Sequence, residues 1–126
     1  MLFESFIVKA HDVLKDPRYL DVALSAGECV WKYGMLLKGP GICHGFAGNG
    51  YSLLALFKAT GDARWLFRAY QFAIAMFRDD VVKECRTPDH PYSLYEGLAG
   101  TVCFLLDLRL RPCASAFPLF EVGGLS

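Results

Sequence analysis

The stretch Gly41-Ile42-Cys43-His44-Gly45-Phe46-Ala47-Gly48-Asn49 decides the fold: a glycine-punctuated segment that runs directly into the apolar block Leu53-Leu54-Ala55-Leu56. Its pattern returns 52 residues later. His44-Gly-Phe-Ala-Gly aligns with Glu96-Gly-Leu-Ala-Gly, and Leu53, Leu54 and Leu56 fall on Leu105, Leu106 and Leu108. Both blocks are apolar nearly all round, which predicts buried helices. Their glycines stand near the helix start, where backbone or a ligand can come close.

A second pair of segments matches at an offset of 46 residues, Asp16-Pro-Arg-Tyr-Leu with Asp62-Ala-Arg-Trp-Leu. Each opens an amphipathic helix. Leu20, Ala23, Leu24, Gly27, Trp31 and Gly34 share one face of the first, and Leu66, Ala69, Ala73 and Phe77 share one face of the second. Asp16 and Asp62 suit the N-cap, and Pro17 suits the first helical position, where its missing N–H costs nothing. The predicted order is outer helix, glycine loop, inner helix, repeated, with residues 1–15 as the tail of an earlier inner helix. Such a period marks a helical array in which each unit buries its face against its neighbours. Residues 80–95, with Pro88 and Pro91, read as the longest loop, and residues 110–126 as an irregular tail.

Composition narrows the function. The chain has 126 residues, enough for one domain, here taken as 1–126. Its hydrophobic share is 54%, rich for a small soluble domain, and mean hydropathy is +0.30. The apolar start, Met1 to Val8, adds to the expectation that the segment belongs inside something larger. Thirteen basic and thirteen acidic residues give no net charge and form no basic stripe, so nucleic acid is not an expected partner. No run approaches a membrane span, and the N-terminus lacks the basic region and cleavage site of a signal peptide. Five cysteines, an odd number in helix-like surroundings, fit free thiols in a reducing cytosol.

Cys43 and His44 carry the sharpest chemistry. A thiolate and a neutral imidazole at the mouth of a buried helix are zinc donors, and the flanking glycines would let metal and substrate approach. An adjacent Cys-His pair is also compatible with a purely structural role. Lys38 and Arg86 are cations that could hold carboxylates, or solvated loop charges.

The sequence resembles the LanC-like family, eukaryotic relatives of the bacterial lanthionine cyclases. The resemblance covers residues 1 to about 121 and rests on Trp31-Lys-Tyr-Gly34, Lys38, Gly41-x-Cys43-His44-Gly45-x-Ala47-Gly48-Asn49, Cys85-Arg-Thr-Pro-Asp89, Tyr92-Ser-Leu-Tyr-Glu96-Gly-x-Ala-Gly100-Thr and Phe117-Pro-x-Phe-Glu121. It implies an all-α fold, an incomplete α/α toroid with about two and a half of the roughly seven helix hairpins of a family member. It also implies a zinc ion held by two cysteines and a histidine, with Cys43 and His44 as the second cysteine and the histidine. The first cysteine would lie one repeat earlier, ahead of Met1. In the following repeat Tyr95 and Glu96 take the Cys-His places, and Glu96 is expected to cap its helix.

The activity implied is addition of the glutathione thiol to dehydroalanine or dehydrobutyrine residues of a peptide or protein. Lys38 and Arg86 stand where the family contacts glutathione. The expected location is the cytoplasm, with peripheral association at the plasma membrane as a secondary expectation. The chain by itself is expected to be truncated and inactive. The alternative is a non-catalytic glutathione- or zinc-binding or adaptor fragment, or an incomplete gene model. Two other α/α toroids fit less well. Asp89 and Glu96 are the only local carboxylates for a glycoside hydrolase, and the glycine loops differ from those of a prenyltransferase subunit. Cys29, Cys103 and Cys113 read as small buried hydrophobes or idle thiols, and His11 as a surface or helix-packing residue.

Overall fold

The computed structural model describes residues 2–119, and no strand occurs among them. The helices are α1 (Leu2–Leu14), α2 (Pro17–Tyr33), α3 (Phe46–Thr60), α4 (Ala63–Ala75), α5 (Asp79–Glu84) and α6 (Leu98–Leu110), followed by a 3-10 turn at Pro112–Ala114. Phe120 and Glu121 of the Phe117-Pro-x-Phe-Glu121 segment lie outside the described residues.

Local chemistry sets the helix starts as the sequence predicts. Asp16 accepts the Arg18 backbone N–H at 2.9 Å, and Asp62 accepts that of Arg64 at 2.9 Å. Pro17 takes the first helical position of α2. Gly61 closes α3 at φ 69°, a left-handed conformation that glycine adopts without steric cost.

The core forms around α3, whose residues from Phe46 through Leu56 are all buried. Helices α1, α2, α4 and α6 each pack against it. Gly27 of α2 lets the Leu56 and Trp65 side chains come against its backbone, and Gly50 of α3 accepts the Phe104 ring of α6 in the same way.

Several expectations need correction. Residues 80–95 are not all loop, because Asp79–Glu84 form α5, with Asp79 and Asp80 favourably placed in its first turn. Phe77 is 72% exposed, because α4 ends at Ala75 and its buried face is built from Trp65, Ala69, Phe72 and Ala73. Helix α6 buries only one side, through Gly100, Thr101, Phe104, Asp107 and Leu108, while Leu98, Val102, Leu106 and Leu110 form an exposed stripe. Glu96 does not cap α6: the N-cap is Gly97, with no side-chain hydrogen bond. Cys29 and Cys113 are exposed rather than buried, and all five cysteines are free.

The two glycine loops share one device. Gly45 and Gly97 are the N-caps of α3 and α6 with nearly the same backbone, φ −113° and ψ −165° against φ −117° and ψ −157°. The first N–H groups of a helix have no partner inside it. At α3 the preceding loop folds back to supply carbonyls: Phe46 N–H donates to Gly39 at 3.1 Å, Ala47 to Pro40 at 3.2 Å and Gly48 to Gly41 at 3.4 Å. A Cβ at Gly45 would lie 2.7 Å from the Gly41 oxygen, and one at Gly41 would lie 2.8 Å from the Glu96 carbonyl carbon. The second loop is joined to the first where Cys43 N–H donates to the Tyr95 carbonyl at 2.8 Å.

The far end of the core is closed by the tail. The buried Asp107 carboxylate accepts from Tyr51 Oη at 3.0 Å, Arg111 Nε at 2.6 Å and the Ala116 backbone N–H at 3.2 Å. Phe117 is buried against Tyr51, their ring centroids 5.3 Å apart.

Two outcomes test this account. Gly41→Ala should destabilise the fold by about 1–3 kcal/mol through overpacking against rigid backbone, read as a lower urea midpoint. Faster amide exchange at Cys43 should accompany it, because the bond to Tyr95 is displaced. The second outcome concerns Tyr51, whose phenol is pushed above its ordinary value of 10.0 by burial and then by the neighbouring Asp107 charge. Below that value the phenol is protonated in both states. As pH rises past it, the unfolded chain releases a proton that the folded chain retains, so stability falls. The stability advantage of the wild type over Tyr51→Phe should therefore shrink between about pH 9 and 11 in urea titrations.

Candidate functional site

The connection from α2 to α3 lies between two other segments. Near its start, Arg86 N–H donates to the Leu37 carbonyl at 3.0 Å. Nearer α3, the Cys43 N–H to Tyr95 bond holds it to the second glycine loop. These ties gather residues distant in sequence around one cavity of about 200 Å³, which Lys38, Cys43, His44, Arg86, Asp89 and Glu96 all line. Its charges are mixed, with Asp89 beside Arg86. Lys38 and Arg86 sit where the connection meets the residue 86 segment. Glu96 sits beside Gly41 and Cys43, where it meets the second loop.

Within the cavity, Cys43 is half-buried and His44 exposed, with Sγ and Nε2 3.8 Å apart. Two donors of one tetrahedral zinc, with Zn–S about 2.3 Å and Zn–N about 2.0 Å, stand roughly 3.6 Å apart. The pair therefore suits adjacent ligation by geometry as well as by donor chemistry. Among the described residues no group of three His, Cys, Asp or Glu side chains forms a fuller metal cluster.

Lys38 and Arg86 are exposed, and the Arg86 guanidinium pairs with Asp89, Nη2 lying 3.4 Å from each carboxylate oxygen. The pairing is loose and solvated, so a ligand carboxylate could replace Asp89 at little cost. The structure thus brings all four sequence-designated residues, Lys38, Cys43, His44 and Arg86, to the same cavity. Sequence reasoning missed the part played by the Tyr95 carbonyl, because a backbone acceptor has no side-chain signature. It also missed Glu96 as a wall of the cavity. The signal was present: Glu96 occupies the place of His44 in the repeated pattern.

A second cavity, of about 380 Å³, adjoins the first and shares Lys38 and His44 with it. Ala26, Cys29, Val30 and Tyr33 of α2 form one wall, with Leu36 and Asn49 completing it. The Asn49 side-chain amide donates to the Gly34 carbonyl, joining the end of α2 to the start of α3. No helix among the described residues is long and apolar enough to cross a membrane.

Comparison with known proteins gives this geometry a lineage. The zebrafish (Danio rerio) protein named Glutathione S-transferase LANCL1 is 48% identical over 120 residues, 92% of this chain and 28% of the relative. The Arabidopsis thaliana LanC-like protein GCL1 is 41% identical over 120 residues, again 92% of this chain and 27% of the relative. The chain thus spans little more than a quarter of the length of these relatives. The family described as lanthionine synthetase C-like protein matches residues 5–121, nearly the whole chain. With the all-helical fold and its glycine-capped core helices, this match places the chain in the lanthionine synthetase C-like family.

Proposed function

We propose that this chain carries the thiol-handling part of a LanC-like protein that adds glutathione to dehydroalanine or dehydrobutyrine residues of peptides or proteins in the cytoplasm. The observation that carries the reading is the 3.8 Å approach of Cys43 Sγ and His44 Nε2 in a cavity that Lys38 and Arg86 also line. The name of the zebrafish relative points to the same co-substrate. Cys43 and His44 would supply two zinc donors, with a third from another part of the family scaffold. A zinc held there lowers the pKa of a thiol, so that a thiolate is available near neutral pH.

The chain's own residues provide the rest. Glutathione has two carboxylates, and Arg86 can take one through its planar fork while Lys38 offers a compact charge beside it. Held at the cation end, the tripeptide presents its sulfur toward Cys43 and His44. In the addition the sulfur bonds to the β-carbon of the alkene, the π pair moves toward the carbonyl, and the thiol proton is returned to the α-carbon. A non-catalytic glutathione-binding role is the second reading, since it would need only the Lys38 and Arg86 side chains that line the cavity.

Metal content and binding test the proposal. After dialysis against a weak chelator, the 126-residue chain should retain well under one zinc, and a form extended upstream to family length about one per chain, because ligand count sets retention. In the extended form, Cys43→Ala should abolish zinc retention and thiol addition together. Arg86→Ala and Lys38→Ala should each weaken glutathione binding roughly tenfold in calorimetry, the scale of a lost hydrogen bond to a charged group. Stoichiometric zinc in the short chain would mean a different donor set. Unchanged glutathione affinity in both cation variants would overturn the carboxylate assignment.

A further inference from the structure

The segment after α6 runs back along the core toward the charged cavity, and four successive residues tie it down. The Ser115 carbonyl accepts from Lys58 Nζ, in the last turn of α3, at 2.6 Å. The Ala116 N–H donates to Asp107 of α6 at 3.2 Å. Phe117 is 2% exposed, its ring centroid 5.3 Å from that of Tyr51 in α3. The Pro118 carbonyl then accepts from Tyr95 Oη, in the second glycine loop, at 3.4 Å. Leu119 follows at φ 64°, a left-handed conformation that is costly for a leucine and persists where its surroundings impose it. Lys58 lies about two turns further along α3 than Tyr51, and Tyr95 lies ahead of α6. The strap therefore leads from the far end of the core to the site.

Tyr95 stands between this strap and the Cys43 thiol. Its carbonyl accepts the Cys43 N–H at 2.8 Å, and it lines the charged cavity with Cys43 and His44. The neighbouring bonds stay within its own loop: Glu96 N–H donates to Ser93 Oγ at 3.2 Å, and Gly97 N–H to the Ser93 carbonyl at 3.2 Å. Tyr95 instead reaches outward twice, with its hydroxyl to the strap and with its backbone to the Cys43 loop. We infer that Tyr95 is a positioning residue, through which the anchored strap limits the motion of Cys43 and the access of reagents to its thiol. The importance of that restraint for thiol chemistry rests on the proposed function, whereas the coupling itself does not. Because Phe117 is buried one residue away, the strap end that Tyr95 grips is fixed to the core rather than free in solvent.

Two small changes test the coupling in the whole chain. Tyr95→Phe removes the hydroxyl and keeps the ring, and Pro118→Gly keeps the carbonyl and frees the strap backbone. Circular dichroism checks the fold of both and of the double variant. Amide exchange at Cys43 should quicken roughly two- to tenfold in each single variant, relative to the buried α3 amides of Leu53 and Leu54. That is the scale of one lost hydrogen bond. The double variant should be no faster than the faster single one, because both changes act through one contact. Alkylation of Cys43 by iodoacetamide, mapped by mass spectrometry, should quicken alongside, with the exposed Cys29 and Cys113 unchanged. Unchanged Cys43 exchange in Tyr95→Phe, equal acceleration at Leu53 and Leu54, or additive effects in the double variant would each overturn the coupling. Faster exchange with an unchanged Cys43 alkylation rate overturns the role of Tyr95 toward the thiol. Neither zinc nor glutathione enters these measurements, so their failure leaves the proposed function standing. Unchanged glutathione affinity in the Lys38 and Arg86 variants would likewise leave the coupling standing.

Discussion

The start of α3 lies deep in the core, so its unpaired N–H groups must find partners without water. An orphaned donor in such a place costs about 1–3 kcal/mol. The chain meets this demand by folding the Gly39-Pro40-Gly41 carbonyls back over the helix end, onto Phe46, Ala47 and Gly48. Folding back is sterically open only because Gly41 and Gly45 have no Cβ, and Gly39 takes a φ of 105°. Cys43 and His44 lie inside this folded-back loop. Their position follows from how a buried helix end is satisfied, and the bond from Cys43 N–H to Tyr95 fixes it against the second loop.

The rest of the core is arranged to keep α3 dry. Gly27 and Gly50 admit neighbouring side chains to within contact of the backbone, so α2, α4 and α6 close on α3 with little lost volume. Large aromatic side chains fill what remains: Phe46, Trp65, Phe72 and Phe104 are buried almost completely. At the other end of the core, Asp107 collects three donors and ties the tail to α6, which keeps Phe117 over Tyr51. A rigid core helix holds the loop at its N-terminus, and that loop holds the cavity.

The parts legible in the sequence were those written in side-chain types at fixed spacing. Asp16 and Asp62 announced two helix starts, and the glycine pattern at residues 44–48 and 96–100 announced two more. Cys43, His44, Lys38 and Arg86 were named as site residues, and the fold brings them together. What could not be read depended on tertiary partners. The apolar run of α6 gave no periodicity to separate its buried side from the stripe at Leu98, Val102, Leu106 and Leu110. Helix α5 is six residues long, too short for a periodic signal, and the two prolines downstream masked it. The second cavity lies between the end of α2 and the start of α3, where the Asn49 to Gly34 bond sets the spacing, so neither helix predicts it alone.

The folded-back loop also decides how this site can recognise an anion. A free helix N-terminus offers backbone N–H groups and a positive dipole end to a carboxylate or phosphate. At α3 those donors are taken by Gly39, Pro40 and Gly41, and at α6 the Leu98 N–H is taken by the Pro91 carbonyl at 2.8 Å. The first three N–H groups of α3 and the first of α6 are therefore not to spare for a ligand. Lys38 and Arg86 are the cations in the charged cavity, so under the proposed function recognition of negative charge would rest on side chains. Arg86 is held in reserve by Asp89 across solvent, a pairing weak enough to yield to a ligand carboxylate. Side-chain recognition of this kind is screened by salt in a way that backbone cradling inside a dry pocket is not. Under the proposed function, the same geometry that buries the core helix would leave ligand affinity in the hands of two exposed cations.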